Sequence, residues 1–236
     1  MFYNNLIEFI GDKDYINNNK DILPIPSKLN IPEWFKKLDH SRGKFSVKGC
    51  MPFLDSLTAG YILKLPTDIE FKKVKEGDNK KLFVRIANND WVTNSEETYN
   101  KDLHIVQQVE GSPAIEQNGK LPFFKILNPW KIVTPSGYSC LFTNVLNNNL
   151  NDFEIFSGIV DTDCYTDRVN FPIVWKNVKD NYFLKRGSPY VQVIPFKREK
   201  WNMVITPRDT RKDALGFGTS FINNYKNRFW NKKSWK

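Results

Sequence analysis

The chain has 236 residues, 40% of them hydrophobic and 14% aromatic, which is enough apolar material for a packed core without disulfides or metal. This composition excludes collagens, coiled coils and fully disordered chains, and no run of about 18 apolar residues is present to span a bilayer. The net charge of +9 attracts polyanions such as nucleic acid, nucleotide phosphates or acidic protein surfaces.

The first 48 residues predict an extended N-terminal arm with one short helix. The sequence LIEFI at 6–10 is typical of a strand, and the prolines that follow disfavour regular helix. From Ile31, the sequence IPEWFKKLDH predicts a short helix whose aromatic pair, Trp34 and Phe35, packs inward and pins the arm to the body. A peptide that binds a partner is the alternative. The arm has no signal-peptide pattern, so we expect a cytoplasmic protein.

Residues 49–205 predict one mainly β domain with few short helices. A turn or short helix around 54–59 precedes the strand YILKL, and GDNKK joins the alternating runs DIEFKKV and KLFVRIA into a hairpin. HIVQQV is either a strand or an irregular connection. The strand-like runs that follow, separated by turn residues, are FFKIL, WKIVT, YSCLFTNV, FEIFSGIV, VNFPIVW, YFLKR and YVQVIPF. Such a pattern favours a clip-like or jelly-roll-like sandwich or barrel.

Few side chains are arranged for metal binding or nucleophilic catalysis. His40 and His104 stand far apart and form no metal-ligand pair, and no motif gives His104 a nucleophile to activate. Cys140 and Cys164 lie in apolar, strand-like contexts that are typical of buried, inert thiols. The glycine motifs of P-loops, Rossmann folds and hydrolase elbows are missing. We therefore expect no cofactor, apart from Mg²⁺ if the protein hydrolyses nucleotides.

The segment SGIVDTDCY at 157–165, with the strands VNFPIVW and YVQVIPF after it, resembles the dUTPase and dCTP deaminase superfamily. The resemblance covers about 121–198 and implies a β-clip fold. It implies that Asp161 is the carboxylate that activates water, that Tyr165 packs on the sugar and that Gln192 binds ligand. Alternatively, Gln192 is a solvated residue. The sequence GFGTS at 216–220 is similar to the glycine-rich tail that closes over the triphosphate in that family.

The hydrolysis that this resemblance implies also needs cations that take up charge on the phosphates. After Pro-Ser-Gly-Tyr, where the family places a phosphate-binding arginine, this chain has LFTNVLNNN. Arg168, Lys185 and Arg186 are the candidate replacements. Without such a cation, Asp161 and Asp163 are interpreted as residues that shape a tight turn through bonds to nearby backbone N–H groups.

Residues 206–236 predict a basic, aromatic C-terminal tail. The sequence NNYKNRFWNKKSWK interleaves rings with cations, as single-strand nucleic-acid binders do. Alternatively, the rings dock on the protein's own body or on a neighbouring subunit. The residues expected to contact nucleic acid or a partner are Lys226, Arg228, Trp230, Lys232 and Trp235.

Over its whole length, the chain also resembles a family of phage and other viral proteins that has no assigned activity. The segments that carry this resemblance are FLDSLTAGYILKLPTDI, NPWKIVTPSGYS, GIVDTDCYTDRVNFPIVW and RGSPYVQVIPFKREKW. A viral setting implies the host cytoplasm or the virion. The preferred function is a non-enzymatic structural or binding protein with an oligomeric β core, in contact with its own copies or with virion assembly proteins.

Two alternatives belong to other functional classes. The first is a divergent dUTPase-like nucleotide pyrophosphohydrolase, or a nucleotide-binding protein, that uses Asp161 with Arg168 and Arg186 as ligand-binding cations. The second, which is the weaker, is a single-stranded nucleic-acid binder that uses the C-terminal tail.

Overall fold

The protein is described here from a computed structural model, which covers residues 6–41, 43–76, 79–87, 90, 92–93, 103–106, 111–113, 123–148, 152–176, 181–207 and 223–236. These residues form a mainly β protein with several antiparallel sheets and few short helices. No sheet built from them closes into a barrel. The GFGTS sequence at 216–220 lies outside the described residues.

The N-terminal part contains both predicted elements and one further helix. Its elements are β1 (Glu8–Ile10), α1 (Lys13–Asn18), β2 (Ile25–Pro26) and α2 (Glu33–Lys37), with 3₁₀ turns at Lys20–Ile22, Ser27–Asn30 and Val47–Gly49. The strand at 6–10 and the helix after Ile31 are confirmed. Helix α1 was not predicted from the sequence; it begins where the carboxylate of Asp12 accepts hydrogen bonds from the backbone N–H groups of Asp14 and Tyr15, a common N-cap arrangement.

The rest of the chain is built mainly from short strands, as predicted. In order, the elements are α3 (Met51–Thr58), β3 (Tyr61–Lys64), β4 (Ile69–Glu76), β5 (Asn79–Ile86), β6 (Val92–Thr93), β7 (Leu103–Val106), β8 (Phe123–Ile126), β9 (Lys131–Val133), β10 (Tyr138–Thr143), β11 (Phe153–Ile155), β12 (Gly158–Val160), β13 (Phe171–Trp175), β14 (Asn181–Leu184), β15 (Pro189–Lys197) and α4 (Asn224–Arg228). The run FEIFSGIV therefore forms two strands rather than one.

The strands of the described ranges pair into four antiparallel sheets. Their orders are β12-β10-β15-β3-β2, β11-β13-β8-β7, β14-β4-β5-β6 and β1-β9. In the hairpin of β4 and β5, Glu76 pairs with Asn79, which confirms the predicted hairpin. Of its GDNKK sequence, Asn79, Lys80 and Lys81 belong to β5, and residues 77–78 lie outside the described residues. Strands β11 and β12 are consecutive in the chain yet belong to different sheets.

One aromatic core joins strands from different sheets. Trp175 on β13 stacks on Tyr182 of β14 at 4.2 Å and meets Phe71 of β4 edge-on at 4.5 Å between ring centroids. Phe171 of β13 lies 5.6 Å from Phe142 of β10. All five rings are buried, so the apolar cluster has contributions from three sheets.

The aromatic pair of α2 packs against α3, but unequally. Phe35 is 4% exposed and stacks on Phe53 of α3 at 5.8 Å, whereas Trp34 is 42% exposed and meets Phe53 edge-on at 6.1 Å. The predicted inward packing is confirmed for Phe35 and holds in part for Trp34.

The described helices are all short. The longest of them, α3, has eight residues, whereas a helix that crosses a bilayer needs about 20. Within the described ranges, no helix is long and apolar enough to span a membrane.

Candidate functional site

Asp161 lies in a tight turn directly after β12. Its backbone carbonyl accepts hydrogen bonds from the N–H groups of Cys164 and Tyr165, at 3.1 and 2.9 Å. Its carboxylate accepts a hydrogen bond of 2.6 Å from the hydroxyl of Ser139 on β10. The side chain is 58% exposed, so the carboxylate is anchored at one oxygen and open to solvent.

Arg198, the first residue after β15, is the cation next to Asp161. Its guanidinium lies 3.2 Å from a carboxylate oxygen of Asp161 and forms an ion pair with both oxygens of Asp163. It also donates to the backbone carbonyl of Tyr138 at 2.9 Å and to the hydroxyl of Ser139 at 3.0 Å. Sequence reasoning did not identify Arg198, because it reaches this turn only through the pairing of β10 with β15.

The contacts of Asp163 favour its charged form. The hydrogen bond from Arg198, followed by one from the backbone N–H of Gly137, holds the pKa of Asp163 well below its usual range. The same hydrogen bond with Asp163 raises the pKa of Arg198 above its ordinary value. The turn between β12 and β13 is therefore fastened to the end of β15 by a charged pair.

This pair predicts a loss of stability in acid. Because the pKa of Asp163 is lowered in the native state, its contribution is present above the ordinary aspartate pKa of 3.8 and is lost as the pH falls toward the native value. We expect Asp163→Asn to flatten the decline of unfolding free energy between about pH 5 and pH 2, measured by urea unfolding. Arg198→Met should flatten the decline of unfolding free energy over the same pH range. A wild-type decline in both variants would contradict the pairing of Arg198 with Asp163.

Tyr165 and Arg168 continue the loop beyond this turn. Tyr165 is 44% exposed. Arg168 lines a cleft of about 470 Å³ that it shares with Asp12 and Asp14 of the N-terminal part. Among the described contacts, none joins Arg168 to Asp161, so the structure does not bring these two predicted residues together.

Arg186 is held by the N-terminal part of the chain. Its guanidinium forms an ion pair with Asp21 and donates to the side-chain oxygen of Asn19 at 2.8 Å, while its backbone N–H donates to Asp68 at 2.6 Å. The hydrogen bond with Asp21 raises the pKa of Arg186 and lowers that of Asp21. Lys185 is exposed. Arg186 therefore fastens the arm to the β14–β15 turn.

Gln192 is completely buried, which excludes the solvated alternative. Its side-chain oxygen accepts a hydrogen bond of 2.9 Å from the backbone N–H of Leu146, and its amide nitrogen donates to the carbonyls of Ser56 and Ala59, at 2.9 and 2.7 Å. The amide thus ties β15 to the end of α3 and to the loop after β10. Its predicted role in ligand binding remains a prediction.

The two thiols predicted to be buried differ in their surroundings. Cys140 on β10 is fully buried, and burial raises its pKa to about 11. Cys164 is exposed, so the prediction is wrong for this residue. The reason is local: the strand ends at Val160, and Cys164 lies in the turn that follows.

The tail at 223–236 folds back onto α3 and β3. The indole N–H of Trp230 donates to the carboxylate of Asp55 at 3.0 Å, and the ammonium of Lys233 lies 2.6 Å from the same group. The ring of Trp235 meets Tyr61 edge-on at 6.4 Å. These contacts agree with the alternative in which the tail's rings dock on the protein's own body.

The three cations predicted for the tail lie on different parts of it. Lys226 and Lys232 line a groove that also contains Trp230. Arg228, in the last turn of α4, is exposed. Of the five residues predicted for the tail, Lys226, Trp230 and Lys232 therefore line one groove.

Comparisons with known proteins assign no function to this chain, so its interpretation rests on the geometry. The chain matches no protein-family model and no curated protein sequence. In the described part of the chain, no three His, Cys, Asp or Glu side chains come together as metal ligands.

Proposed function

We propose that the protein is a non-enzymatic, virus-encoded structural protein whose clip-like or jelly-roll-like β core associates with further copies of itself. The observation that carries this proposal is the sequence WNMVI at 201–205, shortly after β15. Trp201, Met203 and Ile205 are each 86% exposed, and Val204 is 79% exposed. The viral source rests on the sequence resemblance alone.

The energetic cost of leaving this segment in water supports a protein contact. The segment has no helix or strand of its own. Burial of one large apolar side chain at an interface stabilises a complex by about 1.5–3 kcal/mol. Covering the four apolar side chains of this segment therefore contributes on the order of 6–12 kcal/mol before the entropy of association is subtracted. Contiguous apolar surface of this kind is typical of interaction sites.

Strand β12 offers a place for the segment of a second copy. It lies at the edge of its sheet, with β10 as its described neighbour, and Ile159 is 65% exposed. An edge strand presents unpaired backbone groups that accept a further strand. If 201–205 of one copy pairs with β12 of another, two-fold symmetry makes the exchange reciprocal.

The nucleotide-hydrolase alternative receives less support. The formal charges of Asp161, Asp163 and Arg198 sum to −1, and the guanidinium is already engaged by Asp163. Phosphates placed beside two carboxylates are repelled unless a further cation intervenes. The described surroundings of Asp161 therefore favour a structural turn.

The assembly proposal predicts a dimer or a larger species in solution. We expect sedimentation velocity at micromolar concentration to show that species for the wild type and a monomer for Trp201→Ser/Met203→Ser/Ile205→Ser, because the variant removes the apolar surface. Ile159→Lys, which places a charge on the edge strand, should weaken association in the same way.

A matched control removes three exposed apolar side chains elsewhere. Leu29→Ser/Phe45→Ser/Phe183→Ser alters residues that are 65%, 72% and 58% exposed, and it should retain the assembly. A monomeric wild type, or equal dissociation of the control, contradicts the proposal. Release of pyrophosphate from dUTP and Mg²⁺ that is lost in Asp161→Asn would support the hydrolase instead.

A further inference from the structure

A groove of about 740 Å³ lies between the N-terminal part, α3 and the C-terminal tail. Phe35 of α2 and Met51 of α3, which are 4% and 5% exposed, contribute to its apolar lining together with Leu54 and Trp230. The groove therefore combines apolar side chains of the body with an aromatic ring from the tail.

The charged side chains of this groove are all basic. Lys36, Lys48, Lys226 and Lys232 line it, and no carboxylate is among its described lining residues. Lys36 has a partner on its own helix, Glu33, at 2.6 Å. Because Lys36 is paired, Lys48, Lys226 and Lys232 supply most of the positive potential of this concave surface, which attracts an anion.

Lys48 is fixed in place without a carboxylate among its described partners. Its ammonium donates to the backbone carbonyls of Lys36 and Leu38, both at 2.9 Å. These two contacts orient the side chain and leave its charge uncancelled. Lys48 is thus a preorganised cation, and the third donor of its ammonium is available.

His40 also lines the groove. Its Nδ1 accepts a hydrogen bond of 3.2 Å from the backbone N–H of Ser46, so in the neutral ring the proton resides on Nε2. That Nε2 is buried and has no partner among the described residues. A side chain at Gly49 would overlap the imidazole, so the glycine permits the ring to occupy this position.

The tail side of the groove is also held in place. Asp55 of α3 accepts from the indole of Trp230 and pairs with Lys233. The ammonium of Lys233 lies 5.9 Å from the centroid of the Trp230 ring. These contacts hold the Trp230 ring in place before a ligand binds. Binding therefore costs less conformational entropy, because this side chain is already ordered.

We propose that this groove binds single-stranded nucleic acid, with phosphates beside the lysines and the face of a base against the apolar lining. Sequence-tolerant binders combine a basic groove with rings on which bases stack. Trp230 supplies the ring, and Lys48 supplies a fixed donor for a phosphate oxygen. This site is separate from the exposed segment at 201–205 and goes beyond the assembly role.

Fluorescence anisotropy with a labelled thymidine oligonucleotide tests the proposal. We expect Lys226→Ala/Lys232→Ala to weaken binding about tenfold or more at low salt, and to reduce the dependence of log K on log salt by about 1.4, since each phosphate contact on a single strand contributes about 0.7. Both lysines are exposed, so the variant should fold. An abasic strand of equal length should bind more weakly than the thymidine strand, because it cannot stack.

The matched control is Lys13→Ala/Lys20→Ala, which removes the same charge from two exposed lysines that do not line the groove. It should change the affinity by less than about threefold, since only the general field is reduced. Equal losses in the two variants, or no binding at low salt, would overturn the proposal. Tighter binding of poly-glutamate than of the oligonucleotide would also overturn it and would assign the groove to an acidic peptide.

Discussion

Replacement of Gly60 by alanine is expected to lower the free energy of unfolding by about 3 kcal/mol or more. Gly60 has a φ of +65°, and an added Cβ would overlap the backbone carbonyl oxygen of Val193 on β15. That strand pairs with β3 through Val193 and Tyr61, so it cannot withdraw without loss of sheet pairing. Urea unfolding followed by circular dichroism measures the effect.

Gly43→Ala separates the two causes of the loss at Gly60, which are the backbone strain of a positive φ and the overlap of the new Cβ with Val193. Gly43 also has a positive φ, +87°, but nothing lies within 4 Å of an added Cβ. Its replacement should cost about 1–2 kcal/mol from backbone strain alone. If the two variants lose the same stability, the close approach of Gly60 to β15 is not the cause.

A second large effect is expected for Gln192→Leu. The change keeps a similar volume but removes three hydrogen bonds, to Leu146, Ser56 and Ala59, at a fully buried position. A buried group that loses its partner costs about 1–3 kcal/mol, so we expect a total loss of about 3 kcal/mol or more, measured by urea unfolding.

The matched control for Gln192 is an exposed hydrogen bond on β10. Thr143→Val removes the contact between the Thr143 and Ser157 hydroxyls, at 3.0 Å, and should cost less than about 1 kcal/mol because water replaces the lost partner. Wild-type stability of Gln192→Leu would contradict the structural role.

Local pattern was sufficient to predict most strands. On β13, Phe171, Ile173 and Trp175 are buried while the residues between them are less so, which is the alternation that identifies a strand with one face in the core. The hairpin of β4 and β5 was predictable for the same reason, because its turn residues stand between two alternating runs.

Contacts between distant strands were not predictable. Arg198 follows a predicted strand, but its place beside Asp161 depends on which strands β15 adopts as neighbours, and no local signal encodes this. Gln192 stands between two valines, and burial on its own face requires α3 to cover the sheet there. Periodicity identifies the faces of a strand and not what covers them.

The candidate groove was likewise predictable only where its residues are close together in the sequence. Composition predicts Lys226, Trp230 and Lys232 as contacts for nucleic acid or a partner, because interleaved rings and cations in one short segment are visible in the sequence. It did not identify Lys48 or His40, which lie far away in the chain and join the groove only because the tail folds back onto α3.

The passage of the chain from β11 to β12 links two sheets through only Phe156 and Ser157. Strand β11 carries buried core residues. If a neighbouring copy orders β12, the short connection would therefore also restrict the motion of β11 in the core. Quaternary contact and folding would then be thermodynamically coupled, and the melting temperature would rise as the protein is concentrated.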